Sequence, residues 1–304
     1  MKYHYNTAPF LLGMLFLIFT ACNNTSKPEK KELPVPKVIL IDTIAMEPPV
    51  FKTTYSIDSI AGQKDLDSLG NRFDTEERKL IYALNRIDAH RIMPGTKLLI
   101  PDSLVKNLNL YTPFPKLLGV FDSINKAVVI SKRIQAFALY EKGKLCKWGP
   151  VSTGKKTTGT PHGLYYGNYK AKRKVSTIDQ SWVLPYYFNF MNFEGIGTHE
   201  YSLPGHPASH GCVRMTREDA QSIYNWANMW ELENDVVVQH GTPFMVIGTY
   251  DFDGVEPWLK LAENKDANNL KEEELDTLRV YAQRFHNDPL NFKRNNLLEE
   301  KIVL

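Results

Sequence analysis

Three histidines and a cysteine lie within fourteen positions of the chain, in the stretch GTHEYSLPGHPASHGCVRM at residues 197–215. They are His199, His206, His210 and Cys212. A cysteine beside histidines suits nucleophilic catalysis, in which an imidazole takes the thiol proton and the sulfur attacks a carbonyl carbon. Histidine and cysteine are also zinc ligands, so the same residues could hold a metal. The stretch is therefore a candidate catalytic or metal site.

The residues around Cys212 favour a nucleophile. A thiolate is stabilised by a nearby positive charge, a base or a helix N-terminus. Arg214 supplies a charge, and the amphipathic stretch TREDAQSIYNWANMW at 216–230 predicts a helix directly afterwards. Gly211 permits a tight turn, so that the backbone amides of residues 211 and 212 could bind one oxygen of a carbonyl group. This arrangement predicts acyl transfer.

Spacing alone does not select the base. His210 is two residues from Cys212, whereas His199 lies 212 − 199 = 13 residues upstream and could approach the sulfur from a separate strand. The metal hypothesis is weaker, because the spacing fits no common zinc signature and leaves Ser209 and Gly211 without a role. We therefore predict no metal site and interpret His206, between a glycine and a proline, as a loop residue.

The rest of the chain must supply the elements that position these residues. With 304 residues, of which 43% are hydrophobic and 12% aromatic, it can bury a large core. Residues 113–250 contain several apolar and aromatic runs separated by turn signals, which predicts a mainly β domain, and helices elsewhere make the fold class α+β. The net charge of +3 is spread along the chain, so we predict no nucleic-acid partner.

The N-terminus predicts a compartment. Residues 1–21 combine a basic start with an apolar run that is short for a membrane span, as in a lipoprotein signal peptide. Cys22 follows in FTAC, which resembles a lipobox, so we predict that it carries the lipid. Residues 22–50, rich in Lys, Glu and Pro, predict a flexible linker. Outside the cytoplasm, Cys146 and Cys212 could form a disulfide, or Cys212 could stay a free thiol for catalysis. Cys146 lies close to Trp148 in a strand-like run and is predicted to be buried.

Two flanking segments are predicted from local patterns. Residues 51–102 contain two helix-like stretches, the second opened by Thr75 as its N-cap, and end in MPGTKLLIP. This segment resembles a degenerate LysM module, a small α/β fold of two helices on a two-stranded sheet. Residues 251–304 are charged and predict a helical extension that packs on the main domain through Leu275, Leu278, Val280, Tyr281 and Phe285.

The motif SHGCVRM, with His199 upstream and the earlier stretch GPVSTGKKTTGTPHGLYY, resembles the L,D-transpeptidase catalytic domain of the YkuD family. The family pattern, from an upstream His through Ser/Thr-His-Gly-Cys to an Arg, is matched by His199, Ser209, His210, Gly211, Cys212 and Arg214. The preceding family feature corresponds to Gly154, Thr160, Pro161 and Gly163. The chain departs from the family in HEY, where His-Gly is commoner, and in a short interval between the histidine and the cysteine.

The resemblance implies a YkuD-like β-sandwich and assigns roles. Cys212 would be the nucleophile and His199 the base, oriented by the backbone carbonyl of Glu200. Ser209, His210, Gly211 and Arg214 would shape the oxyanion pocket and substrate site, without a cofactor.

The implied partners are peptidoglycan tetrapeptide stems and, through the lipid anchor, a membrane of the cell envelope, with the enzyme facing the periplasm. Attack on the stem would release D-alanine and leave a thioester. A diaminopimelate amine would then form a 3-3 crosslink, a protein amine would anchor that protein to the wall, and water would give L,D-carboxypeptidase activity. A non-catalytic peptidoglycan-binding lipoprotein is the alternative from another class.

Overall fold

A computed structural model describes residues 51–292, all within one unit of contacts. The predicted signal peptide, Cys22, the linker and residues 293–304 lie outside the described residues. The β-strands are β1 (Tyr55–Ser59), β2 (Lys97–Pro101), β3 (Ala127–Ser131), β4 (Ala136–Glu141), β5 (Lys144–Pro150), β6 (Gly163–Tyr166), β7 (Tyr169–Val175), β8 (Val183–Met191), β9 (Ile196–Glu200), β10 (Val213–Met215), β11 (Glu231–Glu233), β12 (Val236–Gln239) and β13 (Pro243–Ile247). The α-helices are α1 (Gln63–Arg72), α2 (Thr75–Leu84), α3 (Arg217–Trp226) and α4 (Glu272–Asn287).

The first four elements run in the order strand, helix, helix, strand. β1 and β2 pair antiparallel, and α1 and α2 lie between them in the chain. Their side chains share a small core of Ile60, Leu69, Ile81, Ile87, Ile92, Leu98 and Ile100. The N-cap of α2 is Asp74, whose carboxylate accepts hydrogen bonds from the amides of Glu76 and Glu77. The prediction of Thr75 as the cap is therefore wrong by one residue, because the aspartate caps the helix and Thr75 becomes its first residue.

Two larger sheets form the centre of the structure. One has the strand order β5-β4-β3-β13-β6, and the other the order β10-β9-β8-β7. Only two pairings in these sheets are parallel, β13 with β3 and β10 with β9. The α+β prediction with mostly sheet content is confirmed.

Apolar side chains from both sheets meet in one core. Phe190 of β8 stacks on Phe244 of β13, with ring centroids 4.9 Å apart. Other members of this core are Val128, Ile130, Phe137, Phe188, Val213, Met215 and Val246, and α3 adds Ala220 and Ile223. Fully buried strands of this kind have continuous apolar sequences, as in AVVIS of β3 and PFMVI of β13.

Helix α4 covers the other face of the five-stranded sheet. Leu275, Leu278, Tyr281 and Phe285 are buried there as predicted. Val280 is 46% exposed, so its predicted packing is wrong, because it lies on the solvent face of the helix.

Cys146 also differs from its prediction, since it is exposed on β5, the edge strand of the five-stranded sheet. Cys146 and Cys212 are both free, so the predicted alternative of a disulfide between them is wrong. Within residues 51–292, no helix is both long and apolar enough to cross a membrane.

Candidate active site

The register of two parallel strands brings the candidate base and nucleophile together. In the pairing of β9 with β10, Arg214 lies opposite His199, and Val213 lies opposite Thr198. Cys212 directly precedes β10 and so lies near Gly197, two residues before His199, and the side chains of Cys212 and His199 line the same cavity. The thirteen-residue interval in the sequence is thus a loop that returns the chain to the neighbouring strand position.

A small cavity of about 40 Å³ gathers the predicted groups. Its lining includes His199, Ser209, His210, Cys212 and Arg214, all predicted from the sequence. Ser176, Ile178, Trp182, Leu184 and Tyr201 complete it. The sequence did not single out Ser176, Ile178, Leu184 or Tyr201, which come from β8, the segment before it and the residues after β9.

His199 is held in one orientation. Its side chain is only 4% exposed, and Nδ1 lies 2.9 Å from the backbone oxygen of Glu200. A carbonyl only accepts, so Nδ1 carries the proton and the Nε2 lone pair is left for a second group. Burial lowers the pKa of His199 to about 4, although the Glu200 hydrogen bond opposes this shift and Arg214 adds to it. The imidazole is therefore neutral at physiological pH, as a base must be.

Cys212 rests as a thiol. Burial raises the pKa of its sulfhydryl, while the Gly197 amide and the positive charges of Lys174 and Arg214 act in the opposite direction. Both groups are thus neutral in this structure, and an attack by the sulfur would require its proton to move to the imidazole. The predicted contribution of a helix N-terminus is wrong, because strand β10 separates Cys212 from α3.

The loop before Cys212 is folded on itself. Gly211 has φ = +118°, which only glycine adopts without strain, so the predicted tight turn is present. Its amide, however, donates to Ser209 Oγ at 3.1 Å, and Ser209 Oγ donates to the Cys212 carbonyl. The Gly211 amide is therefore engaged within the loop and does not point at a substrate oxygen, contrary to the prediction. Of the two predicted amide donors, that of Cys212 remains.

The stretch 152–160 holds this loop in place. Thr160 Oγ1 accepts from the Gly154 amide at 2.9 Å and donates to the Gly211 carbonyl at 2.7 Å. Thr158 Oγ1 donates to the Ser209 carbonyl at 3.0 Å. A Cβ on Gly154 would stand 2.2 Å from the Thr158 carbonyl oxygen, so only glycine fits there. Residues 154–160, the earlier part of the sequence motif, thus stabilise the loop 209–212 through hydrogen bonds.

His210 is occupied in another contact. Its Nε2 accepts from Lys155 Nζ at 3.0 Å, and its ring lies 5.2 Å from that of Trp182. The lone pair that a base needs is therefore already used. This contact favours His199 over His210 as the base, a choice that spacing had left open.

Arg214 presents its guanidinium to an aromatic ring instead of a carboxylate. It lies 4.6 Å from the centroid of Tyr201, and none of the ion pairs in residues 51–292 includes it. Burial lowers its pKa. Its charge therefore stays available to a negative oxygen near Cys212.

No group of three or more His, Cys, Asp or Glu side chains arranged to hold a metal occurs in the described range 51–292. His206 is exposed in the loop after β9.

Residues 125–249 match the family model of YkuD, the L,D-transpeptidase catalytic domain. The matched segment contains His199, Glu200, Ser209, His210, Gly211, Cys212 and Arg214. It is somewhat shorter than the segment 113–250 expected from the sequence.

One curated relative, a protein of Bacillus licheniformis, is 23% identical over 158 residues. Its name gives L,D-transpeptidase YkuD as a provisional assignment. The alignment covers 52% of this chain and 85% of that protein. Among solved structures, an L,D-transpeptidase of Stackebrandtia nassauensis is 25% identical, with a TM-score of 0.34, over 41% of this chain and 57% of that one. L,D-transpeptidase 1 of Mycobacterium tuberculosis is 21% identical, with a TM-score of 0.32, over 41% and 62%. This chain thus spans less than two thirds of these solved structures.

Proposed function

We propose that the YkuD domain is a cysteine-dependent L,D-transpeptidase that acts on peptidoglycan tetrapeptide stems. The observation that carries this proposal is the orientation of His199, whose ring is fixed by the Glu200 carbonyl while it shares one cavity with Cys212. A buried, neutral imidazole beside a thiol is suited to acyl transfer. The match of residues 125–249 to the family supports the substrate class.

The reaction has two halves. Cys212 Sγ attacks the carbonyl that joins the L-centre of diaminopimelate to the terminal D-alanine, and His199 takes the thiol proton. The C–N bond breaks, the proton passes to the leaving amine, and D-alanine departs to leave a thioester. An amine then attacks the thioester carbonyl, the C–S bond breaks, and His199 returns a proton to Cys212. We expect Arg214 and the Cys212 amide to stabilise the negative oxygen in both halves.

The remaining parts of the chain are proposed to deliver this domain to its substrate. Cys22 would carry a lipid that anchors the enzyme to a membrane of the cell envelope, with residues 22–50 as the linker and the active site facing the periplasm. Residues 51–102 are proposed to be a LysM-like module. The order strand, helix, helix, strand and its antiparallel strand pair support that proposal.

Intact-mass spectrometry after treatment with a carbapenem tests the enzyme proposal. Such a β-lactam acylates a nucleophilic cysteine, so the protein is expected to gain one carbapenem mass. Cys212→Ala is expected to lose the adduct, and Cys146→Ala is the matched control, because Cys146 is the other free thiol of the described residues and should not affect the mass gain.

Three results would contradict the proposal: no adduct on the native protein, an adduct that survives Cys212→Ala, or a Cys212→Ala variant that retains activity on tetrapeptide stems. Release of D-alanine without a crosslinked or exchanged product would identify water as the acceptor and make the enzyme an L,D-carboxypeptidase.

A further inference from the structure

A second cavity, of about 480 Å³, adjoins the active site. We call it the Arg91 groove, and we define it by His90, Arg91, Glu200, Tyr201, Ser202 and Arg217. Two of these residues, His90 and Arg91, precede the YkuD domain by more than 30 positions. The groove is therefore built partly from a segment outside the YkuD domain.

The groove is continuous with the reaction centre through Tyr201, which lines both cavities. One side of the Tyr201 ring faces the Arg214 guanidinium, and the ring centroid lies 6.0 Å from that of His199. Glu200 links the two cavities as well, because its carbonyl holds His199 while its side chain lines the groove. A molecule in the groove would thus lie beside the base that must take its proton.

Charges of both signs line the groove. Arg91 Nε donates to Ser202 Oγ at 2.9 Å, and Arg217 Nη1 lies 3.4 Å from Glu200 Oε2. Arg91 forms no ion pair with any carboxylate in the described residues. The exposed Arg91 guanidinium and the carboxylates of Asp88 and Glu200 line the same groove, which suits a ligand that carries an anionic and a cationic group close together.

Two hydrogen bonds of Asp88 hold the segment that carries Arg91 in place. The Asp88 amide donates to the Leu203 carbonyl at 2.9 Å, and the Leu203 amide donates to Asp88 Oδ2 at 2.8 Å. This pair of bonds ties the segment carrying Arg91 to the loop between His199 and Cys212. The groove is therefore a built feature of the fold.

The chemistry of the reaction indicates what such a groove would take, provided that the proposed function holds. The residue that leaves in the first half, D-alanine, departs as an amine with a carboxylate on the same carbon. By microscopic reversibility, the attacking amine enters where that residue departed. We propose that the Arg91 groove binds the acceptor of the second half, an amine whose carbon also carries a carboxylate, with Arg91 holding the carboxylate and the amine directed at the thioester.

The step balances without another reactant. The acceptor nitrogen bonds to the thioester carbonyl carbon, the C–S bond breaks, and the amine proton passes through His199 to Cys212 Sγ. Arg91 stays unchanged, because it is a binding residue that contacts the carboxylate and not the reacting atoms.

A competition between two acceptors tests the proposal. The full-length enzyme is incubated with a stem tetrapeptide and equimolar D-methionine and D-methioninamide, which differ in the carboxylate charge, and the two exchanged peptides are quantified by mass spectrometry. Because both acceptors partition the same thioester, the product ratio is independent of the rate of acylation. Arg91→Gln is expected to lower the ratio of D-methionine to D-methioninamide product about fivefold, the size of an exposed ion pair. Arg72→Gln, which removes a charge from α1, is the matched control and should keep the native ratio.

The outcomes separate this proposal from the function on which it rests. An unchanged ratio in Arg91→Gln, or exchange with neither acceptor by an enzyme that still forms the carbapenem adduct, would overturn the groove proposal alone. Absence of the adduct on the native protein would overturn the proposed function. The adduct on Arg91→Gln serves as the measure that this variant has folded with an intact site.

Discussion

At the scale of single residues, the reactive pair combines two groups that burial keeps neutral. Burial raises the pKa of the Cys212 thiol and lowers that of His199 to about 4. Desolvation disfavours each charged form, so in the proposed mechanism the proton moves only when a substrate carbonyl is present. The same burial makes the protein's stability depend on pH.

The free energy of unfolding is expected to fall as the pH falls from about 6.5 to about 4. His199 titrates near 6.5 in the unfolded chain but near 4 when folded, so in this window the unfolded state binds more protons. This residue would contribute a loss of about 3 kcal/mol, at about 1.4 kcal/mol per pKa unit. Urea unfolding of the native protein and of His199→Gln at several pH values measures it. Equal pH dependence in both proteins would refute the assignment.

At the scale of elements, the cysteine loop is positioned by a second loop and not by a helix. Thr160 connects the Gly154 amide to the Gly211 carbonyl, and Thr158 holds the Ser209 carbonyl. These hydrogen bonds satisfy buried polar groups that water cannot reach. The sequence motif showed that both loops belong to one pattern, but not which atoms joined them.

Thr160→Val is expected to destabilise the protein by about 2 kcal/mol, because it leaves a buried amide and a buried carbonyl without this partner. Displacement of the Cys212 loop should also slow carbapenem acylation by about tenfold or more. Thr160→Ser keeps the hydroxyl and serves as the control for both measurements, by urea unfolding and by time-resolved intact mass. If Val and Ser variants react at the same rate, the hydroxyl does not position the loop.

At the scale of the whole molecule, segments on both sides of residues 125–249 pack against them. Helix α4 covers the five-stranded sheet, and its Glu274 is 2% exposed. Glu274 Oε2 accepts from both Arg133 Nε, at 3.0 Å, and Arg133 Nη2, at 2.7 Å, next to β3. On the N-terminal side, Asp88 is bonded to Leu203. Residues 125–249 therefore share their core with α4, and the loop before Cys212 is bonded to the N-terminal segment.

Glu274→Gln is expected to lower the free energy of unfolding by about 3 kcal/mol, because it leaves the Arg133 charge buried and unpaired. Glu272→Gln on the same helix is the matched control, since its partner Arg279 is at the surface and the loss should stay below about 1 kcal/mol. Urea unfolding measures both. Similar losses in the two variants would mean that α4 is not fastened through this buried pair.

The sequence by itself determined the class of fold and the residues of the motif, and it carries the prediction that Cys212 is the nucleophile. These depend on residue type and local order: a glycine at a tight turn, apolar runs in strands, and a helical apolar face. The same local reasoning placed the cap of α2 one residue too late, because residue type alone does not show the cap geometry. It also predicted that Cys146 is buried, because residue type does not show that β5 is an edge strand.

Only the tertiary structure decided the rest. The contact of Lys155 with His210, and the place of His199 in β9 beside β10, favour His199 as the candidate base. The Arg91 groove joins residues more than 100 positions apart in the sequence. Such contacts depend on which surfaces become adjacent when the sheets, the N-terminal segment and α4 bury their apolar faces together, and no spacing along the chain encodes that adjacency directly.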